Sequence, residues 1–393
     1  MDLNESDDQL MLRDSAERFL REKHPFEHFR KTEAAGTAFD TRIWSAFAEL
    51  GWLGLSISEA HGGLGGGPVE TAIVCEKLGG ALVLEPYVAA VVLAGQLVDQ
   101  LGTDAQCSEL LGPLMAGQGW TAFAHDERGV ESDVSTIAAN ATRIDRGYRL
   151  DAEKVVVLGG ANANSFLVSA KTPSRDGDGD GLGLFIVPAE AKGVTVKPFR
   201  TAEGGLAADV QFESVRLGSD ALLGDCDDAA GAILLARDSA AAAVCWDAVG
   251  CMDSLLAATA AFTKQRVQFG KPLSSFQALQ HRMAEMAVKC TEARAIALMS
   301  SLSLGAPVHL RERAVSAAKS KIGMVSRHVA QEAIQMHGAM GFSDELAIGW
   351  WFKRLFVFEN VYGSTSHHLD RYRKLVIQPA IQAESLLRSP MTA

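Results

Sequence analysis

The sequence lacks the patterns that mark secreted, membrane-spanning and nucleic-acid-binding proteins. None of its 6 cysteines forms a CxxC pair, and wide spacing in a long chain is typical of free thiols in a reducing compartment. The N-terminal stretch MDLNESDDQLMLRDSAERFL is acidic and has no basic segment followed by an apolar core, so it does not resemble a signal peptide. We therefore predict a cytoplasmic protein.

Charge and hydrophobic length exclude two further classes of partner. The formal net charge is −11, which argues against nucleic acid and against an anionic membrane surface because both need a basic face. A small phosphorylated ligand needs only local positive groups. The most apolar run, residues 81–98, contains Glu85, Pro86 and Gln96, which favours a buried helix over a membrane span.

Length and apolar spacing predict the domain organisation. With 393 residues, the chain exceeds the usual size of one core, so two or three domains are expected. Residues 1–118 have the spacing of helices and predict an N-terminal α-helical domain. The apolar positions of its first helices are Leu10, Leu12, Ala16, Phe19 and Leu20, and then Ile43, Trp44, Phe47 and Leu50, closed by Gly51.

The pattern becomes strand-like near Gly117 and helical again near Ala229. Short β-rich runs separated by turn residues predict a small antiparallel barrel or sandwich over residues 119–228. These runs are WTAFA, YRL, KVVVLG, SFLVSA, LGLFIVP, VTVKPF and ADVQFESV. Residues 229–393 are rich in Ala, Leu and Met and predict a bundle of long helices. The fold class is therefore a multidomain α+β protein.

Three local patterns imitate ligand sites and are interpreted as structural. HGGLGGGP fails as a dinucleotide-binding turn because Pro68 occupies the place of the third glycine, so we predict a helix from Pro68. Residues 176–181 imitate the start of a calcium loop, but Val187 stands at its twelfth position, which favours a hairpin. His24 and His28 have no partner at ligand spacing and are predicted at the surface, so no metal site is expected.

The stretch TKQRVQFGKPLSSFQALQHRMAE, residues 263–285, joins a helix end, a turn and a new helix. The first helix is predicted to stop near Phe269, and the second to start at Ser274 or Ser275, which are good N-cap residues. An apolar stripe follows at Phe276, Leu279, Met283, Met286 and Cys290. Just upstream, Arg266, Gln268 and Phe269 offer a cation, an amide and a ring that suit a nucleotide's phosphate and adenine, although a surface turn with a solvated arginine fits these residues equally well.

The run RVQFGKPLSSFQALQHRMAEM is similar to the signature of the acyl-CoA dehydrogenase family, flavoproteins that desaturate acyl-CoA thioesters. The segments ALVLEPYVAAVVLA and QMHGAMGFSDELAIGWWFKRL extend the resemblance over almost the whole chain. It implies an α-helical domain, a β domain and a four-helix-bundle-like domain. It also implies FAD across a subunit interface, with the flavin ring on the β domain of one subunit and the pyrophosphate and adenine on the C-terminal domain of its neighbour.

The adenine side of the family's cofactor site is nearly complete in this sequence. The resemblance implies that Arg266 bonds phosphate, that Phe269 covers adenine, and that Gly338 allows close backbone approach. Ala339 replaces the second glycine of the family's Q-x-x-G-G-x-G segment. The cofactor-binding residues so implied are Arg266, Gln268, Phe269, Gln335, Met336, Gly338, Ala339 and Thr365.

The flavin side departs from the family's pattern. Phe123 to Asp133, FAHDERGVESD, aligns with F-A-x-T-E-x-x-x-G-S-D, so that Asp126 replaces the Thr that bonds the flavin and Glu131 replaces the Gly. Val156 and Leu158 stand where the family has the Trp and Thr of E-K-x-W-I-T-N. We expect these changes to disfavour flavin, and reduced anionic flavin most of all.

The family's catalytic base is also missing. Desaturation needs a carboxylate that removes the α-proton while hydride passes to the flavin, and Gly363 occupies the place of the Glu in the family's Y-E-G-T turn. In a branch whose Glu lies in the preceding helix, the matching position is Ala240. Asp238 lies about 200° away around a helix, and Glu359 could be recruited only by rearrangement. His367 and His368 are interpreted as residues outside the chemistry.

The pattern of losses favours a non-catalytic subunit of a heteromeric acyl-CoA dehydrogenase. Random decay would not spare one face of the cofactor site and lose the other. The resemblance implies a homologous catalytic partner in a heterotetramer, an acyl-CoA substrate such as a steroid side-chain thioester, and an electron-transferring flavoprotein. The alternatives are a homomeric dehydrogenase whose base is Asp238 or Glu359, a flavin monooxygenase or oxidase of this fold, and a scaffold without flavin.

Overall fold

The N-terminal part of the chain is helical, as its apolar spacing predicts. A computed structural model describes residues 4–37, 39–129, 136–173, 180–224 and 229–388. The first helix starts with a capping box between Ser6 and Gln9, and Ala16 and Leu20 are buried while Leu10 is 46% exposed, so its buried face is narrower than expected. The helices are α1 (Asp7–Lys23), α2 (Phe26–Ala35), α3 (Thr41–Glu49), α4 (Pro68–Gly80), α5 (Gln96–Leu101) and α6 (Asp104–Met115).

Two predictions about this region are confirmed and one is wrong. Helix α4 begins at Pro68, and the apolar run after it is a buried helix whose π-helical part, Val88–Gly95, leads into α5. His24, however, is buried and not at the surface. It ends α1, and its ring packs edge-on against His28 with 4.8 Å between ring centres. Burial lowers the pKa of His24 to about 4, so this ring is neutral.

The middle of the chain forms one seven-stranded sheet. The structure joins two of the predicted runs into one long strand and adds a strand, Asn140–Ile144, that the sequence did not reveal. The strands are β1 (Thr121–Ala124), β2 (Asn140–Ile144), β3 (Gly147–Leu158), β4 (Ser165–Pro173), β5 (Asp180–Pro188), β6 (Val194–Arg200) and β7 (Leu206–Leu217). Most neighbours are antiparallel, but β1 and β2 both run parallel to β4, so the sheet is mixed.

The strands on either side of the predicted hairpin loop, residues 176–181, are paired as a hairpin requires. Strands β4 and β5 pair antiparallel from Ser165 with Pro188 to Pro173 with Asp180. The loop itself, with Asp176 and Asp178, lies outside the described residues, as do Glu131, Ser132 and Asp133 of the predicted flavin motif. In the described part of the chain, no group of three or more His, Cys, Asp or Glu side chains could hold a metal ion.

Long helices form the last part of the chain, as predicted. They are α7 (Ala230–Gln265), α8 (Gln277–Leu302), α9 (Val308–His337), α10 (Ala347–Phe358) and α11 (Thr365–Arg388). Among the described helices, α7 alone is long and apolar enough to cross a membrane, and 67% of its most apolar window is buried inside the protein. Helix α7 packs closely on α4, since a Cβ at Gly250 would lie 1.8 Å from the carbonyl oxygen of Glu76. The helical, β and helical order of the fold class is confirmed.

One continuous core of buried apolar side chains runs through the three parts of the chain. It includes Trp44 and Phe47 from α3, Phe166 from the sheet and Met252 from α7. Five cysteines are buried and free: Cys75, Cys107, Cys245, Cys251 and Cys290. The core therefore fixes the β sheet against both helical parts, and the crevices between them hold the candidate sites.

Candidate functional site

The residues that follow α7 form a small β-hairpin. Helix α7 stops at Gln265, not near Phe269, because residues 267–268 pair with residues 271–272 and take the backbone out of the helix. Phe269 and Gly270 form the turn, with φ of 54° and 80°. Positive φ at both central residues is the pattern of a type I′ hairpin. The backbone N–H of Leu273 closes the hairpin by donating to the carbonyl of Arg266, at 2.9 Å.

The start of α8 also differs from the prediction. Phe276 is its N-cap residue, while Ser274 and Ser275 lie in a short 3₁₀ turn before it. The Ser275 hydroxyl donates to the Pro272 carbonyl, and the Gln280 side chain donates to the carbonyl of Ser274. These two serines therefore support the turn instead of capping the helix. Farther along α8 the apolar stripe is buried at its end, at Met286 and Cys290.

The hairpin presents its side chains to solvent. Arg266 and Gln268 are exposed, and Phe269 is 91% exposed. The ring of Phe269 meets only the edge of the Phe276 ring among the described aromatic side chains, with 6.2 Å between ring centres, and its backbone adopts a conformation that non-glycine residues rarely take. Exposed apolar side chains at a fixed position mark contact surfaces. The hairpin therefore suits a ligand or a neighbouring chain better than it suits this chain's own packing.

The segment at the end of α9 lies at the same end of the bundle. The rings of Phe262 and His337 stack with 4.3 Å between centres, which joins the last turn of α7 to the last turn of α9. Gln335, Gly338 and Ala339 are exposed, whereas Met336 is buried. Gly338 has φ of 62° and ψ of −139°, a conformation that suits glycine. Most of the predicted adenine-side residues are thus brought together.

Thr365 lies apart from this group. It begins α11, and its buried hydroxyl packs against Gly323, where an added Cβ would lie 2.1 Å from Oγ1. Gly323 is twelve residues before Gln335 on the same helix, a distance of about 18 Å at 1.5 Å per residue. Thr365 and Arg266 therefore cannot contact the same part of a bound ligand. A role for it requires an extended ligand that reaches along the bundle.

A crevice lies between the sheet and the C-terminal helices, where the family's flavin pattern was placed. Its lining includes Asp126, Val156, Leu158, Arg237 and Tyr362. The Nη1 of Arg237 donates to Oδ1 of Asp126 at 2.9 Å, so a helix α7 arginine bridges to the β domain. This pair neutralises the charge that the sequence placed beside the flavin's edge. The repulsion expected from Asp126 is smaller than the sequence alone suggests.

Two other residues of the predicted flavin side, Glu127 and Val156, form hydrogen bonds within the β domain. The carboxylate of Glu127 accepts from the Lys154 ammonium at 2.7 Å and from the backbone N–H groups of Ala138 and Ala139. Val156 is 50% exposed with φ of 52°, and its N–H donates to Asp209. An isopropyl group offers far less surface than the indole of the family's pattern. The position that should cover a flavin is thus open.

In the turn that carries the base in the family, this chain has Gly363, and the neighbouring side chains leave no room for a larger residue. Gly363 has φ of 102°, and a Cβ at this position would lie 2.6 Å from Nε2 of His368. His368 is buried and its Nε2 bonds the Tyr362 carbonyl at 2.9 Å, while burial lowers the pKa of His368 to about 3. The buried ammonium of Lys319 donates to the carbonyls of Phe358 and Gly363, at 2.7 and 3.0 Å.

The alternative bases are engaged in ion pairs. Asp238 is buried and accepts from Nε of Arg311 at 2.9 Å and from Nη1 of Arg371 at 2.6 Å. It faces α9 and α11, as the expected 200° rotation from Ala240 implies. Glu359 pairs with Arg327. The two carboxylate oxygens of Asp238 already accept from two guanidinium groups, so this side chain would have to give up those bonds to reach a substrate.

A helical domain, a β-sheet domain and a helical bundle with a crevice between sheet and bundle are the architecture of a class of flavoproteins. Models of three protein domains from one family match this chain. They are the acyl-CoA dehydrogenase N-terminal domain over residues 6–118, the middle domain over residues 122–215 and the C-terminal domain over residues 234–375. Together these span most of the chain. The chain belongs to the acyl-CoA dehydrogenase family, whose members are FAD-binding oxidoreductases that oxidise acyl-CoA thioesters.

Individual relatives are similar over nearly their whole length. The chain is 28% identical over 349 residues to the probable acyl-CoA dehydrogenase YngJ of Bacillus subtilis, covering 87% of this chain and 90% of the relative. Butyryl-CoA dehydrogenase from Megasphaera elsdenii superposes with a TM-score of 0.87 at 25% identity, covering 96% of this chain and 100% of that one. The Tcur3481-Tcur3483 steroid ACAD superposes with a TM-score of 0.84 at 26% identity, covering 95% and 99%.

The residues present fit FAD on one side only. The hairpin and the end of α9 offer an exposed guanidinium, two amides and an exposed ring, which suit a pyrophosphate and an adenine. In the crevice, Asp126 already accepts from Arg237 and, as a carboxylate, cannot donate as the family's Thr does. Arg237 was not expected from the sequence, since its partner is 111 residues away. A lone arginine in the apolar run AILLARDSAAAAV was the one available signal.

Proposed function

We propose that this chain is a non-catalytic subunit of a heteromeric acyl-CoA dehydrogenase. It supplies the adenine and pyrophosphate half of an FAD site through Arg266, Gln268, Phe269, Gln335 and Gly338, and a homologous partner supplies the flavin ring contacts and the base. The observation that carries the proposal is the contrast between its two half-sites. The adenine half is exposed, whereas the position of the base is closed by His368 and Lys319.

Exposed apolar residues around the adenine half support a partner chain there. Val267 in the hairpin is 54% exposed, and Met340 and Phe342, which follow the end of α9, are 46% and 79% exposed. Apolar side chains clustered at one end of a bundle gain free energy when another protein covers them. The Tcur3481-Tcur3483 steroid ACAD, by its description an assembly of two proteins, also supports a heteromer and a bulky acyl-CoA substrate. Reoxidation by an electron-transferring flavoprotein, a heterotetrameric state and a cytoplasmic location complete the proposal.

Flavin stoichiometry tests the proposal directly. Expressed alone, the chain should carry no stoichiometric FAD, because its own crevice lacks the family's flavin contacts. Co-expressed with a homologous partner that has an intact Y-E-G-T turn, it should copurify with less than one FAD per chain, measured from flavin absorbance and protein mass. A yellow homomer with one FAD per chain and acyl-CoA turnover would disprove the non-catalytic role.

Replacing Arg266 with alanine should release FAD from the complex. Arg266→Ala removes the charge that we assign to the pyrophosphate, and a charge-assisted hydrogen bond contributes about 1.5–3 kcal/mol, so FAD should dissociate roughly 10- to 100-fold more readily. The readout is retained flavin after gel filtration of the complex. Arg146→Ala, in the exposed turn between β2 and β3, is the control and should retain FAD as the unaltered complex does. Equal retention in both variants would show that Arg266 does not contact the cofactor.

A homomeric dehydrogenase remains the second candidate, with Asp238 or Glu359 as its base. The ion pairs of both carboxylates weigh against it. A flavin monooxygenase or oxidase of this fold needs no such base, but it needs its own flavin, and Asp126 and Val156 weigh against that. The intact Arg266 segment weighs against a scaffold that has lost flavin.

A further inference from the structure

A small cavity lies between helices of the N-terminal and C-terminal parts of the chain, away from the crevice. Residues of α4, of the π-helical stretch before α5, of α5, α7 and the end of α8 line it. It shares no lining residue with the crevice, nor with the pocket that adjoins the crevice at Tyr362. Its volume of about 60 Å³ corresponds to roughly four to six water molecules at 10–15 Å³ each. A molecule of about five or six non-hydrogen atoms therefore has the right size for it.

Two side chains of the lining contain buried oxygen atoms without a hydrogen-bond partner. They are Ser56, which follows α3, and Gln96, which is the first residue of α5. The Oγ of Ser56 and the Oε1 of Gln96 have no partner among the described residues. Buried polar atoms in this state are costly unless something bonds them. An occupant of the cavity that donates to both oxygens removes this cost.

Most other polar groups of the lining already have partners within the protein. The Thr71 hydroxyl donates to the carbonyl of Gly67 at 3.2 Å, and the N–H of Gly67 donates to the Glu70 carboxylate at 2.8 Å. The hydroxyl oxygen of Ser301 accepts from the Trp246 indole at 2.9 Å. The unmet hydrogen-bonding capacity is therefore centred on the two oxygens named above.

The character of the lining favours a neutral, partly apolar occupant. None of the described residues that line the cavity is charged, so an ion would lose its hydration there without gaining a counter-charge. Apart from the hydroxyl of Ser239, the remaining surface is apolar, with side chains such as Ala72, Val92, Ala242 and Leu304. A buried water needs two to four polar partners, so one or two waters could bond the free oxygens, but further ones would face hydrocarbon. A short apolar body with a polar, uncharged head fills the cavity better.

We propose that this cavity binds a small primary carboxamide, whose head pairs with the amide of Gln96 and whose hydrocarbon body packs against the apolar lining. A primary carboxamide has two N–H donors and one carbonyl acceptor. One N–H donates to Oε1 of Gln96 and the other to Oγ of Ser56, so both unpartnered oxygens are bonded. The carbonyl of the ligand accepts from Nε2 of Gln96, which makes the two amides a paired unit. The site does not depend on whether the chain binds flavin or is catalytic, because none of its residues belongs to the crevice.

Three probes of the same size separate the possible head groups. Isobutyramide, 3-methylbutan-2-one and isobutyrate share an isopropyl group and carry an amide, a ketone and a carboxylate. The full chain, alone or in its complex, is titrated with each probe at pH 7.5 by ligand-observed NMR and by thermal unfolding. Isobutyramide should raise Tm and bind roughly tenfold more tightly than the ketone, which cannot donate a hydrogen bond, and isobutyrate should not bind. Equal binding of amide and ketone, or of amide and carboxylate, would overturn the proposal. No binding of the amide would do the same and would leave the cavity to water.

Variants of Gln96 and Ser56 show whether the site is this cavity. Gln96→Met keeps the length of the side chain and removes its hydrogen-bonding groups, so it should weaken isobutyramide binding about tenfold. Because the lost oxygen has no partner in the protein, the Tm without ligand should not fall. The matched control is Gln100→Met, at an exposed position of the same helix, which should bind the amide as the unaltered chain does.

Two results would overturn the assignment to this cavity. Unchanged isobutyramide binding in Gln96→Met would place the amide elsewhere, and a large fall in Tm would show that Gln96 is bonded within the protein. Ser56→Ala, which removes one hydroxyl, repeats the test in a second part of the lining and should also weaken binding. Because no flavin or turnover is measured, these results are independent of the test of the proposed function.

Discussion

Gly363→Glu, which writes the family's Y-E-G-T turn back into this chain, is expected to destabilise the protein and to create no desaturase activity. The backbone at Gly363 has φ of 102°, and the new Cβ would lie 2.6 Å from Nε2 of His368. Left-handed backbone strain costs about 1–3 kcal/mol, and overpacking costs another 1–3 kcal/mol or so. The combined loss of roughly 2–6 kcal/mol should appear as a lower Tm and a lower urea midpoint.

Two further variants separate strain from chemistry. Gly363→Ala carries the Cβ without the carboxylate and should lose most of the same stability. Gly363→Glu combined with His368→Ala removes the clashing ring and should recover part of it, although the Lys319 ammonium still holds the carbonyl of Gly363. None of the three should oxidise an acyl-CoA, because a base without a bound flavin has no hydride acceptor. Acyl-CoA turnover by Gly363→Glu with stoichiometric FAD would show that the base alone was missing and that the chain is a degenerate homomeric enzyme.

The same closure explains why the missing base is more than a point substitution. In this chain the turn is held by one buried lysine, whose pKa burial lowers to about 8, and by one buried neutral histidine. Both bond backbone carbonyls of the turn, so neither can be removed without leaving buried polar groups unpaired. The backbone conformation and the neighbouring side chains at position 363 thus accept glycine and exclude a residue with a Cβ atom. This agrees with a subunit whose flavin and base reside on another polypeptide.

Local sequence patterns were sufficient for most of the fold. Apolar spacing identified α1, α3, α4 and the long C-terminal helices, and β-rich runs with turn residues identified six of the seven strands of the sheet. Strand β2 was missed because NATRI has one strongly apolar residue in five, and its pairing with β3 and β4 decides its conformation. The end of α7 was misplaced because Gly270 and Pro272 are the stop signals in the sequence, whereas the pairing of residues 267–268 with residues 271–272 takes the backbone out of the helix already after Gln265.

Contacts between residues far apart in the chain could not be predicted from local sequence patterns. Spacing placed His24 at the surface, but the fold buries it at the end of α1, where its ring meets His28. Resemblance identified the residues of the hairpin and the end of α9, yet it did not reveal that Phe269 is almost fully exposed. The partnership of Asp126 with Arg237 joins residues 111 positions apart, and such pairs appear only when the domains are assembled.

Asp238→Ala should unfold the C-terminal bundle far more readily than any exposed charge change. Asp238 is the buried partner of Arg311 on α9 and Arg371 on α11, and Arg311 is 7% exposed. Removing the carboxylate leaves a buried guanidinium without its partner, which costs about 3–5 kcal/mol. Asp370→Ala, which breaks the exposed pairs with Arg373 and Lys374 on α11, should cost less than about 1 kcal/mol. The comparison is made by urea unfolding followed by circular dichroism.

The outcome also decides the role of Asp238 in chemistry. If Asp238 only holds three helices together, Asp238→Ala should lower the stability of the protein. The FAD content and turnover of the assembled complex should then stay close to normal at low temperature, where the fold persists. A catalytic base would give the opposite pattern, with unchanged unfolding and abolished turnover. Because Asp238 accepts from both guanidinium groups at 2.9 and 2.6 Å, we expect the first pattern. The second would reinstate the homomeric dehydrogenase with a relocated base.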